Sequence, residues 1–325
     1  MPAIRCLAVL LSLGLAAAGG VQASAASAYT TLGLTGLADF DPPSFSGGSW
    51  QDGVYTPLAP AAGLYATYAN PFGQDGASAG LSVTGAVAPA PGEATLPLNG
   101  AVGAFADLVN GHLGLHVNTQ LVPVTNASGA AVSAFSAGNA SAEVGEAFDV
   151  LLPYAGGTPG PVQVRLQLRL TGLVIDDVND ASVALRATLR LNHVAEGAAG
   201  VLTQQQTYGA GFVNDVITLD ATLIDPTCSV SAGRCSYFFG FYSALESVGQ
   251  VPIGSGLYAV VAAGDQLMFD NGGSLSLVVS TGAVVTDAST GQTHSWVSAV
   301  PEPGAASLWG VGLLGMGALR RSWRR

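Results

Sequence analysis

Residues 161–172 read PVQVRLQLRLTG. Val162, Val164, Leu166, Leu168 and Leu170 alternate with Gln163, Arg165, Gln167 and Arg169. Side chains of a strand point alternately to its two faces, so this period of two predicts a strand with one dry and one wet face. Residues 182–194 follow the same rule: Val183, Leu185, Ala187, Leu189 and Leu191 take one face, and Ala184, Arg186, Thr188, Arg190 and Asn192 take the other. The polar stretch Asp176-Asp177-Val178-Asn179-Asp180 separates them. The expected arrangement is a β-hairpin with one buried face.

Working outward, shorter apolar runs at 111–119, 216–224, 236–242, 257–262, 266–269 and 275–280 read as further strands. Gly- and Pro-rich stretches punctuate them: PPSFSGGSW, APAPGEATLP, PYAGGTPGP and DNGG. Residues 284–300 read as a last strand running into a linker. No internal repeat and no helical period of useful length is found outside the two ends. The expected fold is all-β, one sandwich-like domain over residues 29–299.

The two ends differ from this body. Residues 1–28 hold one cation, Arg5, then the apolar run 7–18, then small residues. That is the layout of a secretory signal peptide. Val21-Gln22-Ala23 offers cleavage before Ser24, and Ala26-Ser27-Ala28 offers it before Tyr29. At the other end, residues 300–325 read VPEPGAASLWGVGLLGMGALRRSWRR. Residues 304–319 are uncharged and mostly apolar, and would make a helix roughly 24 Å long. The hydrocarbon core of a bilayer is about 30 Å thick, so Trp309, Trp323 and snorkelling arginines must complete the span. Arg320, Arg321, Arg324 and Arg325 place the C-terminus on the cytoplasmic side and Glu302 on the far side.

This tail resembles the PEP-CTERM sorting signal of exported proteins of Gram-negative bacteria. The matching residues are Val300, Pro301, Glu302, Pro303, the apolar span to Leu319, and Arg320-Arg321. The match covers under a tenth of the chain, and its specificity lies in the order of its three parts. The resemblance implies an exosortase-type membrane enzyme as a partner, a membrane-anchored precursor, and delivery to the cell surface or extracellular matrix, where exopolysaccharide is the expected neighbour. The stretches ADLVNGHLGLHV and EAFDVLLP are also similar to bodies joined to such tails, a similarity that implies no activity.

Charge excludes one class of partner. The chain has ten basic and 21 acidic residues and no lysine. Five of the basic and one of the acidic residues lie in the two ends. The body of about 270 residues therefore sets five arginines against 20 acids, a formal charge of −15. Such a surface repels nucleic acid. Cys6 leaves with the signal peptide, while Cys228 and Cys235 are spaced as C-SVSAGR-C, the pattern of a stapled hairpin in an oxidising compartment. Closing so short a loop stabilises by about 2.5 kcal/mol.

Candidates for chemistry are few, and no cofactor motif is present. Gly76-Ala77-Ser78-Ala79-Gly80 matches a nucleophile elbow, which needs a strand before it and a helix after it. The residues that follow read as a strand. His112 and His116 alternate with Leu113, Leu115 and Val117, so they lie on a strand about 13 Å apart and cannot share a metal. Asp176, Asp177, Asn179 and Asp180 are a weak calcium candidate without the ligand order of an EF-hand. Arg165, Arg169, Arg186 and Arg190 are expected on one face, as a patch for an acidic polysaccharide or as partners of the chain's own carboxylates. The expected function is therefore that of a non-enzymatic exported protein. A carbohydrate- or calcium-binding surface module is the alternative, and a secreted hydrolase is a more distant one.

Overall fold

The computed structural model describes residues 25–52, 54–58, 65–69, 76–118, 121–176, 184–248, 257–261, 273–280 and 283–299. The strands in chain order are β1 (Ala25–Thr35), β2 (Asp41–Gln51), β3 (Val54–Leu58), β4 (Tyr65–Ala69), β5 (Gly76–Ala88), β6 (Leu96–Asp107), β7 (His112–Asn118), β8 (Leu121–Thr125), β9 (Ala131–Pro153) and β10 (Gln163–Asp176). They continue as β11 (Ala184–Asn192), β12 (Val201–Tyr208), β13 (Gly211–Thr222), β14 (Thr227–Ser229), β15 (Arg234–Val248), β16 (Leu257–Val261), β17 (Gly273–Val279), β18 (Val284–Asp287) and β19 (Val297–Ala299). No α-helix occurs among the described residues. The fold is all-β, as the alternating patterns predict.

The strands form two sheets that pack on each other. One runs β12-β11-β15-β9-β1-β4, with β8, β14 and β18 added to it. The other contains β2, β3, β5, β6, β7, β10, β13, β16, β17 and β19. The 23-residue strand β9 organises the first sheet. Residues 141–153 of β9 pair with β15 on one edge, and β8 continues that edge over residues 131–135. The opposite edge pairs with β1 over residues 135–145 and with β18 over residues 148–151. The first and last strands of this sheet thus follow one another along a single edge of β9.

The phase of β10 is as the sequence predicts. Val164, Leu166, Leu168 and Leu170 are buried, while Arg165 and Arg169 are exposed. β11 buries Leu185, Ala187, Leu189 and Leu191. The expected pairing is not found, because the two strands belong to different sheets. β10 is hydrogen-bonded to β13 on one edge and to β17 and then β16 on the other. β11 lies between β12 and β15. A hairpin would set both apolar faces side by side and leave both to be covered. Stacking one sheet on the other lets each face cover the other, which removes more apolar area from water. Outside, β10 and β13 make a polar cross-strand ladder: Gln163 Nε2 donates to Thr222 Oγ1 at 3.0 Å, Gln167 Nε2 donates to Thr218 Oγ1 at 3.1 Å, and Arg165 meets Asp220 between them.

The residues beyond Ala283 tie the sheets together. β18 pairs with β9 in the first sheet, and β19 runs parallel to β17 in the second. Between them Trp296 is buried, and its indole Nε1 donates to the Leu108 carbonyl at 2.8 Å. Its ring lies against Gly111, which has φ +67°; a Cβ there would come within 2.7 Å of the Trp296 Cγ. The expected boundary between residues 28 and 29 falls inside β1, since Ala26 and Ala28 are core residues paired with Val144 and Ala142.

The phase assignment makes a paired test. Leu168→Asp should destabilise the protein by about 4 kcal/mol or more, because it buries an unpaired charge between the sheets. Gln167→Asp, one residue away on the outer face, should cost about 1 kcal/mol or less. Denaturant midpoints of the two variants measure the difference; equal losses would mean the register is wrong.

Candidate functional site: a buried carboxyl–histidine cluster

Among the described residues, those singled out in the sequence do not converge. Arg165 and Arg169 leave the outer face of one sheet, and Arg186 and Arg190 leave the outer face of the other. The expectation of a single arginine face is therefore corrected: the strands stack rather than pair, so their wet faces point apart. Carboxylates of the chain take up part of this charge. Arg165 Nε and NH2 donate to the two Asp220 oxygens at 2.6 and 3.2 Å, and Arg186 lies 3.6 Å from Glu246. Arg190 Nε donates to Asn192 Oδ1 at 3.0 Å.

Ser78 sits in β5, a strand that continues to Ala88, so the strand-to-helix geometry of a nucleophile elbow is not there. Its backbone N–H donates to Asp52 Oδ1 at 2.9 Å. His112 and His116 are half-buried on β7, as a strand requires, and burial lowers the His116 pKa. Cys228 and Cys235 are joined in a disulfide across paired positions of β14 and β15, with Cα atoms 4.0 Å apart. Gly233, at φ +64°, lies in the turn between them. Asp176 is the last described residue of β10, and Asp177, Asn179 and Asp180 lie outside the described residues. So do Val300, Pro301, Glu302, Pro303, Arg320 and Arg321. Among the described residues no helix is long and apolar enough to cross a membrane.

A different group of residues does converge. Along β9, Ala142, Val144, Glu146, Phe148 and Val150 share the inward phase, and all five are buried. Glu146 is thus a carboxyl group in a core position. On β18, Val285 and Asp287 face Val150 and Phe148 across the ladder and so point to the same side. The chain then turns, with Gly291 N–H donating to the Asp287 carbonyl at 2.8 Å, and brings His294 back. The His294 Nε2 lies 2.9 Å from Glu146 Oε2 and 3.1 Å from Oε1. The imidazole stacks on Trp296 with centroids 5.8 Å apart and meets Phe148 edge-on at 6.1 Å. Trp296 in turn meets Phe241 at 5.2 Å. Glu146 is 0% and Asp287 3% exposed, so the cluster is closed to molecules of substrate size.

Its electrostatics follow from burial and bonding. Asp287 accepts from the Ser289 N–H at 2.6 Å on Oδ1 and from the Thr290 hydroxyl at 2.6 Å on Oδ2. It also hydrogen-bonds with the Glu146 carboxyl. Burial pushes the Asp287 carboxyl up, and the bonds with Glu146, Thr290 and Ser289 together outweigh it, so its pKa lies well below the usual range. Ligand atoms of Glu146, Asp287 and His294 all lie within 4.8 Å of one another, the convergence a metal ion requires.

No feature of close spacing marks this cluster in the chain, because 148 residues separate Glu146 from His294. The available signal is one of phase: an acid in a core position of EVGEAFDV, and another in step with Val285. A second polar group lies outside the first sheet, where burial raises the Glu143 pKa and Tyr242 hydrogen-bonds to its carboxyl. Comparison of the chain with known protein families, with characterised proteins and with solved structures finds no match.

The ionised state of Asp287 can be checked in chelator-treated protein. Asp287→Asn should lower stability at pH 7 by about 1–3 kcal/mol. A depressed carboxyl pKa stabilises the fold above the ordinary Asp value of 3.8, and that contribution is lost as the pH falls toward the folded pKa. The gap between wild type and variant in denaturant melts should therefore be constant from neutral pH to about 4 and narrow below it.

Proposed function

We propose that this is an exported, non-enzymatic protein of the bacterial envelope or extracellular matrix, carried through the membrane and then sorted by its C-terminal tail. The observation that carries the reading is the order of parts in residues 300–325: Val300-Pro301-Glu302-Pro303, an apolar span, and Arg320-Arg321, behind a leader at the other end. The expected partner is an exosortase-type membrane enzyme. The precursor sits in the inner membrane through residues 304–319, and the processed body reaches the surface or matrix, where exopolysaccharide surrounds it.

Several features of the fold support this reading. The Cys228–Cys235 disulfide suits an oxidising compartment. The last described strand, β19, pairs with β17 through Ala299, directly before the tail. Between the two cleavage positions in the leader, the fold favours the first. Cleavage before Ser24 keeps β1 whole, whereas cleavage before Tyr29 would remove the buried Ala26 and Ala28 and their pairing with β9. A carbohydrate-binding patch is less favoured, because the arginines are divided between two faces and Arg165 is bound to Asp220.

Two measurements test the reading. Mass spectrometry of the mature protein should find Ser24 as the first residue and no Arg320–Arg325; retention of both ends would refute processing. The second addresses the motif itself. Proline fixes its own φ and disfavours helix at the residue before it, so the sequence Pro301-Glu302-Pro303 is expected to offer an extended peptide to an active site. A plain anchor needs only apolar length and flanking charge. Replacing Pro301-Glu302-Pro303 with three alanines should leave export and insertion intact and stop release, so that full-length chain accumulates in the membrane fraction of the native host. Release equal to wild type would reduce the tail to an anchor.

A further inference from the structure

We propose that Glu146, Asp287 and His294 form a binding site for one divalent transition-metal ion of the zinc class, placed where the last segment of the body meets β9. The donor set is two carboxylate oxygens and one imidazole nitrogen, groups that suit zinc. Calcium is poorly served, since it takes six to eight oxygens. The spacing is close to what the ion needs. Ligands of a tetrahedral zinc at 2.0–2.1 Å lie about 3.3 Å from one another. His294 Nε2 and Glu146 Oε2 are 2.9 Å apart, and all three ligand atoms fall within 4.8 Å, so shifts on the order of an ångström seat the ion.

Charge makes the same case. Two carboxylates and a neutral imidazole carry 2−, and a divalent ion brings the buried group to zero. Uncompensated charge at such a depth is costly.

The ligands are also held from behind, as metal ligands are. The Ser289 N–H and Thr290 hydroxyl fix the Asp287 carboxylate. Trp296 and Phe148 fix the imidazole plane. Glu146 stands on β9, where it pairs with Phe241 of β15. The fourth position falls to water, which reaches the cluster at the His294 edge, where the side chain is 9% exposed.

The bound ion would fasten residues 287–294 to β9, and with them the segment that joins the two sheets.

The test uses the full chain, purified in detergent, stripped with EDTA and dialysed. Zinc is titrated by calorimetry, with calcium and magnesium as comparisons. The expected result is one zinc per chain and a melting temperature raised by about 5 °C or more at a hundredfold excess over Kd. His294→Ala should weaken binding at least about 100-fold, while Asp177→Asn/Asp180→Asn should leave it unchanged. Cobalt provides a readout that needs no variant: an intense visible spectrum marks a four-coordinate ion, and the weak spectrum of a six-coordinate one overturns the assignment. No zinc binding, calcium bound more tightly than zinc, or unchanged affinity in a folded His294→Ala protein would each overturn it.

Discussion

The backbone ladder of β9 is the constraint on which the rest of the first sheet depends. A strand inside a sheet needs hydrogen-bond partners on both edges, and β9 finds them along most of its 23 residues by using four neighbours. β8 and β15 share one edge; β1 and β18 share the other. The first strand of the body and one of its last are thus brought end to end, although more than 250 residues of chain separate Ala25 from Val284. The sheet closes only when both are in place.

The carboxyl–histidine cluster occupies the seam this creates. β1 stops pairing at Gly145, and β18 starts at Phe148. Glu146 falls in the interval, pointing inward, with the Ala147 carbonyl accepting from the Ala288 N–H beside it. A carboxyl group in a core phase would ordinarily weaken a sandwich. Here Asp287 and His294 arrive on the strand and turn that complete the edge, so the polar group and its partners are delivered together. Phe148, Phe241 and Trp296 close over them.

Much of the local structure was legible in the sequence, and little of the assembly was. Alternation along residues 161–172 and 182–194 identified both strands and the dry face of each. It could not identify their neighbours, because periodicity reports a face and says nothing about the hydrogen-bonding edge. The arginine patch failed for that reason. The disulfide was legible because seven positions of chain leave Cys228 and Cys235 little freedom to do anything but pair across a turn. Glu146, Asp287 and His294 were not, since their meeting depends on the order of strands along β9. The proposal for the tail rests on the linear order of its residues and on no feature of the fold.

The position of residues 283–299 has a mechanical consequence. Tension applied to the chain beyond Ala299 enters the body through β19, where three residues pair with β17. Behind that short ladder stand the indole of Trp296, bonded to Leu108, and then the turn that carries His294 and Asp287. A tether pulled at this end therefore loads the seam of the sandwich before it loads β9 itself. The seam works as a fuse: its yield decides how much force the two sheets feel.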